Sequence, residues 1–151
     1  MVIRKMQTED IDVIAEFERE ISIISFGDEA IIDLDFHRRK LEKSMTKEIE
    51  GMMVLQIDGK IAGWLWMTPR TNFVSNEKYV NFKSFYIVEE YRGTDFVNEF
   101  IEAGIKFCKD QGVKTIVNKV HVKNLAARVL WKNCGFEATH LTMEYRFNDK
   151  E

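Results

Sequence analysis

The 151-residue chain predicts an α/β (α+β) fold, a mixed β-sheet with helices on both faces. Three observations carry that prediction. Apolar residues recur at helical spacing near the N-terminus and again from about Thr94 to Gln111, with period-two alternation between them. Asp58-Gly59 divides two alternating segments, the strongest short-range signal for a two-residue hairpin. Further on, strand-like and helix-like segments take turns, the pattern of a sheet covered by helices.

In chain order, Val2–Met6 reads as an opening strand. Thr8 is the expected cap of a helix with Glu9 and Asp10 in its first turn and Ile11, Ile14, Phe17 and Ile21 at helical spacing. After Ser22–Gly27, a loop carrying Phe26, a second helix is expected from near Asp28 to about Glu48. Ile31, Leu34, Leu41 and Met45 share its inner face. Met52–Ile57 and Lys60–Met67 form the hairpin around Asp58-Gly59, with Ala62, Trp64 and Trp66 on one face. A polar loop, Thr68–Glu77, leads to a strand at Tyr79–Val88. A helix from about Thr94 to Gln111 follows, with Phe96, Val97, Phe100, Ile101, Ile105 and Cys108 inward and Gly112 as its stop. Val113–Val122 is rich in β-formers and Asn124–Cys134 is helical. Strands near Phe136–Thr139 and Thr142–Phe147 close the chain.

Composition narrows the function. Apolar residues make up 45% and charged residues 31%, the balance of an ordinary globular domain long enough to bury a core. A net charge of −3, without clustered Lys or Arg, argues against a nucleic-acid partner. There is no basic-then-apolar leader and no apolar run near membrane-spanning length, so no membrane partner is expected and the chain reads as cytoplasmic. Cys108 and Cys134 sit in apolar helical patterns as buried reduced thiols, and no metal is expected. Asp28, Glu29, Asp33 and Asp35 lack calcium-loop spacing and read as a solvated helix face. Hydrolase elbows, zinc-helix motifs and lysine-ended phosphate loops are absent.

Two segments carry chemistry. Phe85–Val97, FYIVEEYRGTDFV, is an apolar strand entering a new helix through a turn at Arg92-Gly93-Thr94. Such a turn offers main-chain N–H groups at a helix start, where the macrodipole also favours anions. Asn124–Phe136, NLAARVLWKNCGF, is a short helix stopped by Gly135. Together, in this order, they resemble the cofactor-binding half of the GNAT superfamily of acyl-CoA N-acyltransferases. The element order, β-α-α-β-β-β-α-β-α-β-β, is also that of GNAT domains. The resemblance implies one N-acetyltransferase-like domain over residues 1–151. Its twisted, mostly antiparallel sheet would have about six to seven strands, with four helices on both faces.

What the resemblance implies at the site is specific. Acetyl-CoA (coenzyme A) would be the co-substrate, held by Phe85, Tyr86 and Ile87 on the strand. Arg92, Gly93, Thr94, Asp95, Phe96 and Val97 would hold it in the turn, and Asn124, Ala127 and Trp131 in the later segment. The fourth and fifth strands would splay around it, and a main-chain N–H near Tyr86–Ile87 would polarise the thioester carbonyl. The chain departs from the family at Asp95, where a glycine is usual, and at Val97, where a small residue is usual. It departs again at Trp131, where many members have a proton-donating tyrosine, and at Lys119, where some have a glutamate base. An indole N–H donates a hydrogen bond but supplies no proton. With Thr94 at the cap, Asp95 points away and leaves its N–H available. His121, Tyr86 and Tyr145 are therefore the candidates for proton transfer.

The function implied is acetyl transfer to a primary amine of a small molecule or peptide, by direct attack in a ternary complex. The loops Ser22–Asp28 and Thr68–Lys78 would hold the acceptor, and Trp64 and Trp66 either line its groove or pack in the core. Dimers are common in the family, and Phe26, Phe73 and Phe147 are candidates for a homodimer contact. The alternative is a catalytically impaired GNAT-like module that binds or regulates.

Overall fold

Asp58 and Gly59 both adopt left-handed backbone angles, with φ of 51° and 76°. This is the tight turn whose twist suits a hairpin. It joins β2 (Met52–Ile57) to β3 (Lys60–Thr71), the start of the sheet that organises the chain. The computed structural model describes residues 1–147; the last four residues of the expected 1–151 domain lie outside the described residues. Two units are distinguished, one spanning Met1–His121 and one beginning at Val122.

In the first unit, β1 (Val2–Lys5) lies antiparallel to β2, and β3 lies antiparallel to β4 (Lys78–Ile87). β5 (Ile116–Asn118) runs parallel to β4, giving the order β1-β2-β3-β4-β5. Helices α1 (Ile11–Phe26), α2 (Leu34–Glu48) and α3 (Asp95–Asp110) complete this unit; α4 (Leu125–Asn133) lies in the second. The mixed, mostly antiparallel sheet with four helices is the predicted class. The strands number five among the described residues, because residues 136–147 form no ladder.

Several boundaries differ from the sequence expectation for local reasons. Thr8 is not the cap of α1. It lies in a 3-10 turn, and Asp10 reaches back to the N–H of Gln7 at 2.8 Å. Arg4 fixes that carboxylate with two hydrogen bonds of 2.7 and 3.0 Å. α2 starts six residues later than Asp28, where Asp33 accepts from the N–H of Asp35 at 2.9 Å. Ile31 thus falls outside the helix and is exposed. β3 outlasts the expected Met67 because β4 pairs with it as far as Thr71. β2 stops at Met52 opposite Trp66, so Pro69 lies where β3 has a partner on one side only.

The core has two sides. Ile14, Ala15, Phe17, Leu41, Met52, Val54, Trp64 and Trp66 form one buried cluster with α1 and α2. On the other side, α3 approaches so closely at Gly104 that an added methyl would lie 2.5 Å from Leu65 Cδ2. Cys108 Sγ lies 3.9 Å from Met67 Sδ there, and burial pushes its thiol up to about 11. Alternation along β4 slips by one at Phe82-Lys83-Ser84-Phe85, where Ser84 pairs with Trp66 but Phe82 pairs with Met67. Lys83 is the extra residue of a β-bulge.

Candidate active site at the end of the fourth strand

β5 pairs with β4 only through Val80, Asn81 and Phe82. β4 continues to Ile87 with no strand on that edge among the described residues. Val88 donates to Ala62 across β3 at 2.9 Å, so ladder alternation turns the N–H of Tyr86 toward β3 and that of Ile87 toward the open edge. β5 is short: Ile116, Val117 and Asn118 pair, and Lys119 and His121 beyond it are exposed.

Past Ile87 the chain makes a 3-10 turn at Glu89–Tyr91 and then turns at Gly93, whose φ of 78° lies in the left-handed region. The N–H groups of Arg92, Thr94 and Val97 are taken up by Glu89 O, Tyr91 O and Thr94 O. Those of Gly93, Asp95 and Phe96 meet no protein acceptor among the described residues. Thr94 occupies the N-cap, but its hydroxyl donates to Tyr91 O at 2.7 Å and so leaves the first helical turn uncapped. Asp95 is exposed. Val97 is buried, so its branched side chain points into the core and away from the turn. Arg92 folds back: its Nε donates to Ile87 O at 2.8 Å, and its guanidinium lies 5.4 Å from the Tyr86 ring. The result is an anion-competent set of main-chain donors beside an open strand edge.

Of the predicted proton-transfer candidates, Tyr86 and His121 belong to the first unit and Tyr145 to the second. Tyr86 is half-buried on β4 and stacks on Phe17 with ring centroids 4.7 Å apart. His121 is exposed beyond β5. Tyr145 belongs to the second unit, where it is exposed and packs edge-on against Phe147. In that unit Asn124 caps α4 by accepting from the N–H of Ala127 at 3.1 Å, and Trp131 is buried, edge-on to Phe136. His37 is structural. It is buried, and its Nε2 donates to Ile31 O at 2.7 Å.

Two residues not singled out from sequence lie near the bulge of β4. Lys83 places its ammonium 4.0 Å from the ring centroid of Trp66, and Lys40 comes within 5.6 Å of the same ring. Glu18 of α1 is buried and has no hydrogen-bond partner among the described residues. Both left signals in the sequence. The broken alternation at Phe82–Phe85 marks the bulge, and Glu18 falls four residues after Ile14, on the apolar stripe. Burial and the neighbouring Lys40 charge push the Lys83 ammonium below its usual range, against the opposing pull of Glu48 and Glu18. Among the described residues, no His, Cys, Asp or Glu group is arranged to hold a metal, and no helix is long and apolar enough to cross a membrane.

Comparison with known proteins supplies the family. The sequence model of the Acetyltransferase (GNAT) family matches residues 13–136. A Bacillus subtilis (strain 168) protein named putative ribosomal protein bS18-alanine N-acetyltransferase is 24% identical over 99% of this chain and 89% of its own. The uncharacterized N-acetyltransferase YycN of the same organism is 26% identical over 55% of the chain, a match spanning 52% of YycN. The structure of a mutant BH1408 protein from Bacillus halodurans superposes with a TM-score of 0.86 at 18% identity, covering 98% of this chain and all of that one. With the family match running from α1 to the end of α4, the chain belongs to the Acetyltransferase (GNAT) family.

Proposed function

We propose that the protein is an acetyl-CoA-dependent N-acetyltransferase acting on a primary amine of a small molecule or peptide, with residues 1–151 working as one domain. The observation that carries this reading is the set of main-chain N–H groups at Gly93, Asp95 and Phe96 with no protein acceptor among the described residues. Three such donors at a helix start suit a diphosphate, and their chemistry does not depend on side-chain identity. That is why Asp95 is compatible with binding: its exposed carboxylate lies in solvent, where repulsion of a neighbouring anion is screened.

The open edge of β4 at Phe85–Ile87 would take the pantetheine arm, and the N–H of Ile87 is the donor suited to polarising an acyl oxygen there. Arg92, Thr94 and Val97 shape the turn rather than contact the ligand. The family resemblance would further assign Asn124, Ala127 and Trp131 to cofactor binding. Acetyl-CoA supplies an activated thioester. The amine nitrogen attacks its carbonyl carbon, a C–N bond forms, the C–S bond breaks and coenzyme A leaves as the thiolate while the nitrogen sheds its proton. Tyr86, on the strand itself, is the first candidate to donate to that thiolate; His121 and Tyr145 are the others. Proximity in a ternary complex supplies much of the remaining acceleration.

Titration of the purified chain with coenzyme A tests the reading. Binding is expected in the micromolar range, and Gly93→Ala is expected to weaken it about tenfold by straining the turn. Absence of binding at millimolar ligand would overturn the assignment.

A further inference from the structure

The face of the sheet toward α1 and α2 carries an excess of donors. Trp64, Trp66 and Thr68 alternate along one side of β3, and all three are essentially fully buried. Trp64 Nε1, Trp66 Nε1 and Thr68 Oγ1 have no hydrogen-bond partner among the described residues. The β4 bulge opposite Trp66 adds the Lys83 ammonium over the indole, with Lys40 beyond it. Neither ammonium has a hydrogen-bond or ion-pair partner among the described residues. Two indole N–H groups, a hydroxyl and two ammoniums make five donor groups. Buried polar groups in folded proteins are rarely left unpaired, and such a group calls for an explanation. A bulge beside a reaction centre commonly serves to re-aim a side chain.

Among the described residues two acids are buried, Asp10, which is paired with Arg4, and Glu18, on α1 beside Phe17, whose ring stacks on Tyr86. A donor-rich end and a lone carboxylate describe complementary halves of a zwitterion. We propose that Lys83 is the specificity-determining residue for the acceptor, selecting a small amine that carries a carboxylate or phosphate, with Glu18 positioning its ammonium. The assignment rests on the transferase reading above and narrows its acceptor from any primary amine to an anionic one. It disfavours a polypeptide N-terminus, in which the group next to the amine is a neutral amide. The setting of Lys83 agrees. An arriving anion opposes both the desolvation and the repulsion from Lys40 that burden its charge. Arg70 adds a further cation to this environment, and Glu48 partly offsets it.

The test compares matched acceptors with the purified chain and acetyl-CoA, following thiol release. The pairs are a free amino acid against its carboxamide, and an aminoalkyl phosphate against the corresponding amino alcohol. For the anionic member of at least one pair, KM is expected to be about tenfold lower. The favoured pair tells a carboxylate from a phosphate. Lys83→Met is expected to raise that KM about tenfold and to leave the neutral acceptor and coenzyme A affinity unchanged, while Lys83→Arg retains a preference. Equal use of both members by the wild type, preference for the neutral member, or equal damage to both by Lys83→Met would overturn the proposal. Failure to bind coenzyme A would instead overturn the transferase reading, so the two failures are distinct.

Discussion

Single residues decide whether the turn after β4 can receive a ligand, and they do so mainly by what they leave undone. Thr94 spends its hydroxyl on Tyr91 O, Val97 turns into the core, and Arg92 folds back on Ile87 O. The Asp95 and Phe96 N–H groups are left without an acceptor among the described residues, and residue identity alone would not have shown it. Elsewhere in the first unit, the Arg4 guanidinium is well partnered, donating to Gln56, to Lys5 O and twice to Asp10. Burial tends to raise the Asp10 carboxyl, but the hydrogen bonds from Arg4 and from the N–H of Gln7 outweigh it and hold the group below its usual range. A carboxylate depressed in the folded state adds stability that is complete above its unfolded pKa and lost as pH falls through the folded one. Arg4→Met is therefore expected to lower stability by about 1–3 kcal/mol near neutral pH. The gap to wild type should shrink in acid, below about pH 4. Urea melts at several pH values measure both; a gap independent of pH would contradict this account.

At the scale of elements, packing explains more than propensity. α3 rests close against the sheet because Gly104 has no side chain where Leu65, Met67 and Phe82 meet it. Gly104→Val should overpack this contact and destabilise the protein by about 1–3 kcal/mol, read from the denaturation midpoint, even though valine is the more apolar residue. A neutral result would mean that α3 stands further from β3 than the structure places it. The same elements show what the sequence made legible. The Asp58-Gly59 hairpin, α3 and α4 were readable because their signals are local: a turn dipeptide, helical spacing, a glycine stop; α1 was readable as a helix, but it runs on to Phe26 through the expected loop Ser22–Gly27. The start of α2 was not, because Asp33 competes with the acidic run from Asp28 as a cap. The closing strands expected near Phe136–Thr139 and Thr142–Phe147 do not form, for a different reason. Leu141, Met143, Tyr145 and Phe147 alternate as a strand should, and all are exposed. Alternation states which residues share a face, whereas a strand also needs a partner to pair with. Lys83 and Glu18 were legible in principle, as a slipped alternation and as an acid on an apolar stripe. Their meaning required the bulge and the burial that only the folded chain supplies.

For the whole molecule, family membership and the main-chain turn point the same way. Of the side chains that differ from the family pattern, Asp95 is exposed and Val97 is buried in the core. On the reading proposed above, binding chemistry would reside in the backbone and side chains would choose the acceptor, as when one scaffold serves many substrates. The most direct measurement is an amide nitrogen–proton correlation spectrum of the full chain, recorded as coenzyme A is added. The account predicts the largest downfield shifts at the amides of Gly93, Asp95 and Phe96, because charge-assisted hydrogen bonds would form at donors that now have no protein acceptor. Saturable binding that leaves those three amides unmoved would contradict it.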